Sequence, residues 1–67
     1  MNQKEVVNWL RGTNISLSFI AKKSSVSRAT LHNWINGTHA IRSRNLERVI
    51  LAFKDEITIS VKQSTLK

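Results

Sequence analysis

Arg28, His32 and Asn33 carry hydrogen-bonding groups within one short stretch of the chain. The guanidinium of Arg28 presents two parallel N–H donors, which match the O6 and N7 acceptors on the major-groove edge of guanine. The side-chain amide of Asn33 presents a donor beside an acceptor, which matches the edge of adenine in the same way. His32 can donate a hydrogen bond to a base or to a phosphate. These residue types predict contact with the edges of base pairs.

Apolar residues in the same stretch indicate which element carries these groups. Leu31, Trp34 and Ile35 lie at helical spacing and predict a helix with one side facing the core. Ala29 and Thr30 are small enough for close approach to a duplex and can touch the methyl group of thymine. The outward side of the helix then presents Ala29, His32, Asn33 and Asn36, with Arg28 and Thr30 on its flanks.

Serine and glycine residues mark where this helix begins and ends. Ser27 can cap its N-terminus, and Asn36-Gly37 ends it because glycine readily adopts the left-handed conformation. A preceding helix has Ser16 as its cap, and the serine-rich stretch 24–27 predicts a turn between the two helices. The core face of the preceding helix consists of Leu17, Ile20, Ala21 and Ser24.

Two further helices are predicted, one on each side of this pair. Asn2 and Glu5 form a capping box for a first helix over residues 3–11, and Gly12 is its predicted stop. Ser43 is the predicted cap of a fourth helix, which has the clearest amphipathic stripe in the chain. That stripe consists of Leu46, Val49, Ile50 and Phe53.

The period of the apolar residues changes after residue 56. Ile57, Ile59 and Val61 alternate with polar residues, which predicts a short β-strand over residues 57–61. The segment 57–67 is thus a C-terminal strand or tail that follows a 1–56 domain. A lone strand can pair with the same strand of a second subunit, fold back on the helices or fray. Because a small domain is only marginally stable, we expect these three residues to form a dimer contact.

The distribution of charge favours a polyanionic partner. The chain has 11 Lys and Arg residues against four Asp and Glu, a net charge of +7 at pH 7. The four acids are Glu5, Glu47, Asp55 and Glu56, so the stretch from residue 6 to residue 46 has none. The same stretch carries Arg11, Lys22, Lys23, Arg28, Arg42 and Arg44. Charge partitioned in this way is typical of proteins that bind nucleic acid.

Other chemistries find little support in the sequence. The chain has no cysteine, which excludes disulfides and thiolate zinc sites. His32 and His39 have no carboxylate or cysteine at metal-binding spacing, and no G-x-S-x-G or glycine-rich phosphate motif occurs. The longest apolar run, 49–53, is too short to span a membrane. We therefore expect a cytoplasmic protein that is not an enzyme and needs no metal or cofactor.

The stretch from residue 16 to residue 37 combines two short helices, a tight turn and an outward polar face, which is the helix-turn-helix arrangement. It resembles the phage Cro/repressor-type (XRE-like) DNA-binding family. That family has an apolar residue and alanine in the first helix, an apolar residue and serine after the turn, and apolar positions inside the second helix. The residues that carry the resemblance are Ile20-Ala21, Val26-Ser27, Leu31, Trp34 and Asn36-Gly37, with the stripe of the fourth helix packing behind them.

The chain departs from the family pattern at two positions. Glycine usually occupies the turn position that is Ser25 here, so Ser25 must take the left-handed conformation or the turn must differ. A polar phosphate contact is usual where this chain has Leu17, and Ser16 or Ser18 can substitute for it.

The resemblance implies an all-α, four- to five-helix domain that binds double-stranded DNA sequence-specifically. It implies a homodimer on a pseudo-palindromic operator, acting as a small transcriptional repressor of a phage or prophage. Base reading carries over to Arg28, Ala29, Thr30, His32 and Asn33. Candidate phosphate contacts at helix N-termini and in the loop before the fourth helix are Ser16, Leu17, Ser18, Ser27, Thr38, His39, Arg42, Ser43 and Arg44.

Three alternatives remain open at the level of sequence. The chain can be a DNA-binding accessory protein of a recombinase or transposase, because such modules contain similar motifs. It can be an antirepressor that docks on a second regulatory protein, since Phe19 lies off the core stripe. A membrane-active basic peptide is the third, although the core needs the short apolar stripes. Trp9 and Trp34 are expected to support the core rather than to stack on bases.

Overall fold

Helix α3, which carries the predicted base-reading residues, is the third of five helices. A computed structural model describes residues 2–37 and 40–65, with side chains of the last helix as far as Lys62. The described residues contain five helices and no strand, which makes the fold all-α. The helices are α1 (Gln3–Gly12), α2 (Leu17–Ser24), α3 (Arg28–Asn36), α4 (Ser43–Ala52) and α5 (Lys54–Thr65).

Side-chain caps begin the first three helices, as the sequence predicts. At α1, Asn2 Oδ1 accepts from the Glu5 amide at 2.9 Å and Glu5 Oε1 accepts from the Asn2 amide at 3.0 Å, which completes the capping box. Ser16 Oγ accepts from the third amide of α2 at 3.2 Å. Ser27 Oγ does the same at the start of α3, at 3.1 Å. These three caps are confirmed.

Two predicted helix boundaries differ from the structure. Gly12 is the last residue of α1 and not a left-handed stop; Thr13 caps the helix in an extended conformation, and its amide donates to the Trp9 carbonyl at 2.9 Å. Ser43 is the first residue of α4 rather than its cap. Arg42 holds the cap position, with no side-chain hydrogen bond to the helix. The amides at the start of α4 therefore lack a side-chain acceptor from the cap residue.

One core joins all five helices. The aromatic rings of Trp9 and Phe53 pack with centroids 5.2 Å apart, and Trp34 is also buried, so both tryptophans lie in the core as expected. Helix α2 packs on α3 and α4, while α1 packs on α3, α4 and α5. The buried apolar residues are Val6, Trp9, Leu10, Ile20, Val26, Leu31, Trp34, Val49, Phe53 and Ile57.

The strand predicted over 57–61 is wrong, because these residues belong to α5. Spacing of four residues puts Ile57 and Val61 in line with Phe53, so α5 continues the apolar stripe of α4 onto α1. Ile57 is fully buried, whereas Ile59 points the other way and is 56% exposed. Burying the Ile57 side chain contributes about 1.5–3 kcal/mol, which a lone strand in water would forgo. The helix is therefore more stable here than the strand that the alternating pattern predicts.

The same observation corrects the predicted tail and its dimer contact. Ile57 is part of the core, so residue 56 is not the end of the folded domain. A strand-to-strand contact through Ile57, Ile59 and Val61 is wrong, since Ile57 cannot reach a partner without opening the core and the backbone amides of α5 serve the helix. Among the described helices, none combines the length and apolar content of a membrane-spanning segment.

Candidate nucleic-acid interface

A left-handed residue sets the turn between α2 and α3. Ser25 has φ 61° and ψ 29°, so it takes the conformation that glycine adopts at lower cost. Just before it, the buried Ser24 hydroxyl donates to the Ile20 carbonyl at 2.6 Å. Just after it, Val26 inserts into the core with 3% exposure. Buried residues therefore anchor the turn on both sides of Ser25.

A buried apolar wedge holds α3 against α2. Ile20 and Leu31 are fully buried, and Val26 and Trp34 are 3% exposed each. Ala21 packs against this cluster and is only half-buried. The core positions predicted for Ile20, Leu31 and Trp34 are confirmed. Because protein cores are close-packed, this wedge fixes the angle between the two helices.

The outward side of α3 is accessible along its length. Arg28, Ala29 and His32 are exposed, as is Asn36 one turn after His32. Thr30 and Asn33 are half-buried on the flanks. All five predicted base-reading residues thus lie on the outer side or the edges of one helix. Asn33 also makes an interaction within the protein.

Two hydrogen bonds organise polar groups on this side of α3. The hydroxyls of Ser27 and Thr30 lie 2.7 Å apart, so the Thr30 side chain is held at the start of the helix. Asn36 Nδ2 lies 3.2 Å from His32 Nδ1. An amide nitrogen only donates, so this contact is a hydrogen bond in the tautomer in which Nδ1 carries no proton. In that tautomer the Nε2–H group of His32 is the donor of the ring.

A cleft of about 250 Å³ runs along the flank of α3 towards the start of α4. Thr30 and Asn33 line it from α3, and Arg42 and Asn45 line it from the α4 side. The cleft brings two predicted base-reading residues next to a predicted phosphate contact. Sequence reasoning missed Asn45; its signal is the spacing of three from Arg42, which places both on one side of the first turn of α4.

The predicted phosphate contacts divide into three groups. Ser16, Ser18 and Ser27 are exposed at the starts of α2 and α3, and Arg42, Ser43 and Arg44 are exposed at the start of α4. The Leu17 side chain packs against the core, so only its backbone amide can contribute. Thr38 and His39 lie outside the described residues. Helix N-termini attract anions through their free amides and dipole, so the first group surrounds α3 with favourable positions.

The electrostatic surroundings of α3 contain positive charge and no carboxylate from its own helix pair. Neither α2 nor α3 has an acidic residue in its first turn. Lys22 and Lys23 are exposed at the end of α2, and the Lys23 ammonium lies 4.9 Å from the centroid of the Phe53 ring. Lys23 is thus directed towards an aromatic ring, while Lys22 adds long-range attraction for anions. No cluster of three metal-ligating residues occurs in the described ranges.

No family model matches this chain, and no curated protein or solved structure matches it.

Proposed function

We propose that this chain is a small transcriptional regulator that binds double-stranded DNA sequence-specifically. The observation that carries the proposal is the arrangement of α3. Its outward side exposes Arg28, Ala29 and His32, while Leu31 and Trp34 on the opposite side fix the helix in the core. A rigid helix with an exposed polar side is what reading of a major groove requires.

The dimensions of α3 and its surroundings fit a major groove. An α-helix with its side chains is about 10–12 Å in diameter, close to the width of about 12 Å of the major groove, and α3 has nine residues to lay in it. With α3 in the groove, we expect Ser16 and Ser18 at the start of α2, and Arg42 and Arg44 at the start of α4, to contact the phosphate backbone. The phosphate contacts set the register of the protein, and α3 supplies the discrimination among base pairs.

A dimer explains how so small a reading surface selects a site. One α3 contacts only a few base pairs, so two copies on a pseudo-palindromic operator double the recognised length. The two α3 helices would enter successive major grooves about 34–36 Å apart. Leu51 on α4 and Ile59 on α5 are 78% and 56% exposed, and they are candidates for the contact between copies in place of the rejected strand. Repression follows from occupation of a promoter, as in the Cro-like proteins that the sequence resembles.

A second candidate is a protein-docking role, as in an antirepressor. It is favoured by Phe19, which is 53% exposed and touches the Phe53 ring edge-on with centroids 6.2 Å apart. An exposed aromatic of this kind is a common anchor in protein interfaces. Specific binding of a regulator by the free protein, without affinity for DNA, would favour this candidate over the first.

Selection of binding sites from random duplexes tests the proposed function. We expect a two-fold symmetric consensus for the wild-type chain. Arg28→Ala is expected to reduce discrimination at one base pair of that consensus by about 1–3 kcal/mol, because it removes a bidentate contact. Arg42→Ala is the matched control, since it removes the same charge outside α3 and should weaken all sequences alike.

Salt titrations separate the two variants further. The slope of log K against log salt is negative, and loss of one phosphate contact in Arg42→Ala should reduce its magnitude by about one unit. Arg28→Ala should leave a consensus that is degenerate at one position in each half-site. Equal loss of operator and random-DNA affinity in Arg28→Ala would reject Arg28 as a base reader, and failure of the wild-type chain to enrich any sequence would reject the proposed function.

A further inference from the structure

The C-terminus of α3 receives a hydrogen-bond donor from a distant part of the chain. Gly37, in the left-handed conformation at the end of α3, donates its amide to the Trp34 carbonyl at 3.2 Å. The next carbonyl, that of Ile35, accepts from two nitrogens of Arg11. The distances are 3.1 Å from Nε and 2.8 Å from Nη2. Arg11 lies 24 residues earlier, in the last turn of α1.

Arg11 supplies what α3 lacks in its own sequence. The last turn of α3 contains no basic residue, so no side chain of the helix itself complements the negative end of its dipole. The Arg11 guanidinium places a full positive charge at that end. Its two donors meet one oxygen, so the planar group fixes the carbonyl in direction as well as in distance.

The helix that carries Arg11 is firmly anchored. Val6, Trp9 and Leu10 of α1 are all buried in the common core, whereas Arg11 itself is exposed on the other side. The backbone that carries Arg11 is therefore fixed by the core, in which α1 also packs on α3. Charge alone groups Arg11 with the residues that attract a polyanion, but its geometry gives it a different task.

We propose that Arg11 is a positioning residue that fixes the tilt of α3 by clamping its C-terminus to α1. The wedge of Leu31 and Trp34 restrains α3 along its middle, and the clamp restrains the end near His32 and Asn36. Together they allow one orientation of the outward side. The effect on DNA rests on the proposed function; the clamp itself is a property of the free protein.

Nuclear magnetic resonance on the free, full-length protein tests the clamp directly. We expect a scalar coupling across the hydrogen bond between Arg11 Nε and the Ile35 carbonyl carbon. In Arg11→Gln the amides of residues 35–37 should exchange with solvent about three- to tenfold faster, because a charge-assisted bond at the helix end is lost. Absence of the coupling, together with unchanged exchange, would overturn the proposal whatever the protein does with DNA.

The matched control is Lys4→Gln, which removes the same charge from an exposed position two turns earlier on α1. It should leave the exchange of residues 35–37 unchanged. Arg11→Lys keeps the charge but loses the planar fork, so it should restore part of the protection. Equal acceleration in Arg11→Gln and Lys4→Gln would mean a general effect of charge and would also overturn the clamp.

The effect of Arg11 on base reading by α3 is measured separately, as the ratio of the affinities for the selected operator and for random DNA. Arg11→Gln should lower this ratio about three- to tenfold, which reflects misplacement of base-reading groups. Lys4→Gln should weaken both affinities alike and leave the ratio intact. Equal loss of both in Arg11→Gln would instead assign Arg11 to a phosphate. If the wild-type chain shows no selective binding, the proposed function and this reading role fail together, while the coupling still decides the clamp.

Discussion

Helices α2 and α3 are built with the same backbone devices. Each begins at a serine whose hydroxyl accepts from the amide three residues on, and each ends at a left-handed residue, Ser25 or Gly37. Each buries two side chains in the shared core. Their lengths, eight and nine residues, are nearly equal. Nothing in the backbone therefore distinguishes a supporting helix from a reading helix.

The difference lies in how the outward side chains are used. On α2, Phe19 touches the Phe53 ring and Lys23 lies over the same ring, so part of its exposed side is committed to packing. On α3, Arg28 and Ala29 are exposed, and neither contacts an aromatic ring of residues 2–37 or 40–62. The two helices therefore share a core, but α3 has more exposed side chains that are available to contact a ligand than α2 has.

The largest expected effect comes from substitutions in the buried core that α2 and α3 share. Ile20→Ala in α2 and Leu31→Ala in α3 should each lower the free energy of unfolding by about 2–5 kcal/mol, because both side chains are fully buried in one cluster. Urea denaturation followed by circular dichroism measures this, with Ile20→Val and Ile59→Ala as milder and exposed controls. A cost below about 1 kcal/mol at Leu31 would place that residue at the surface and reverse the face that α3 presents.

A smaller effect comes from the two left-handed helix ends. Gly37→Ala should destabilise the protein by about 1–2 kcal/mol through backbone strain, since no atom of the described residues lies within 4 Å of the added carbon. Ser25→Gly should have the opposite sign and raise stability by about 0.5–1 kcal/mol, because it removes the same strain from the turn. Thermal unfolding of both variants measures the pair. A destabilising Ser25→Gly would show that the serine side chain holds the turn.

The part of the fold closest to α3 could be predicted from the sequence. Caps at Ser16 and Ser27 depend on hydrogen bonds over three residues, and the burial of Leu31 and Trp34 follows from helical spacing. These are local signals, so a single sequence contains them. The outward positions of Arg28 and His32 then follow, because a helix with one side buried has the other side left for solvent or a ligand.

The features that were missed depend on contacts between distant residues. Ile57 and Val61 fit both an alternating strand and a helix with spacing of four, and packing of α5 on α1 decides between them. The bond from Arg11 to the Ile35 carbonyl spans 24 residues and leaves no mark in the local pattern. The cap position of α4 at Arg42 was missed for another reason: Ser43 is the better capping residue by type, but Ser43 is already helical and Arg42 has the extended conformation of a cap residue.

The smallest expected effect distinguishes the two serine caps. Ser16→Ala and Ser27→Ala should each cost about 1 kcal/mol, since each removes one acceptor from a helix start. The Ser27 hydroxyl has a second partner in the Thr30 hydroxyl, whereas within the described part of the chain the Ser16 hydroxyl bonds to the Phe19 backbone amide alone. A double-mutant cycle between Ser27→Ala and Thr30→Val should therefore give a coupling of about 0.5 kcal/mol. The matched cycle, Ser16→Ala with Phe19→Leu, should give none.

Both cycles have a second readout in DNA binding. Thr30 lines the cleft beside Arg42, so releasing its hydroxyl from Ser27 changes a group next to the proposed groove contact. The start of α2, by contrast, is proposed to contact phosphate only. If the comparison is right, Ser27→Ala alters the preferred bases as well as the affinity, and Ser16→Ala alters the affinity alone. Equal changes of base preference in Ser16→Ala and Ser27→Ala would mean that α2 contacts bases as well. That result would contradict the proposal that only α3 contacts bases.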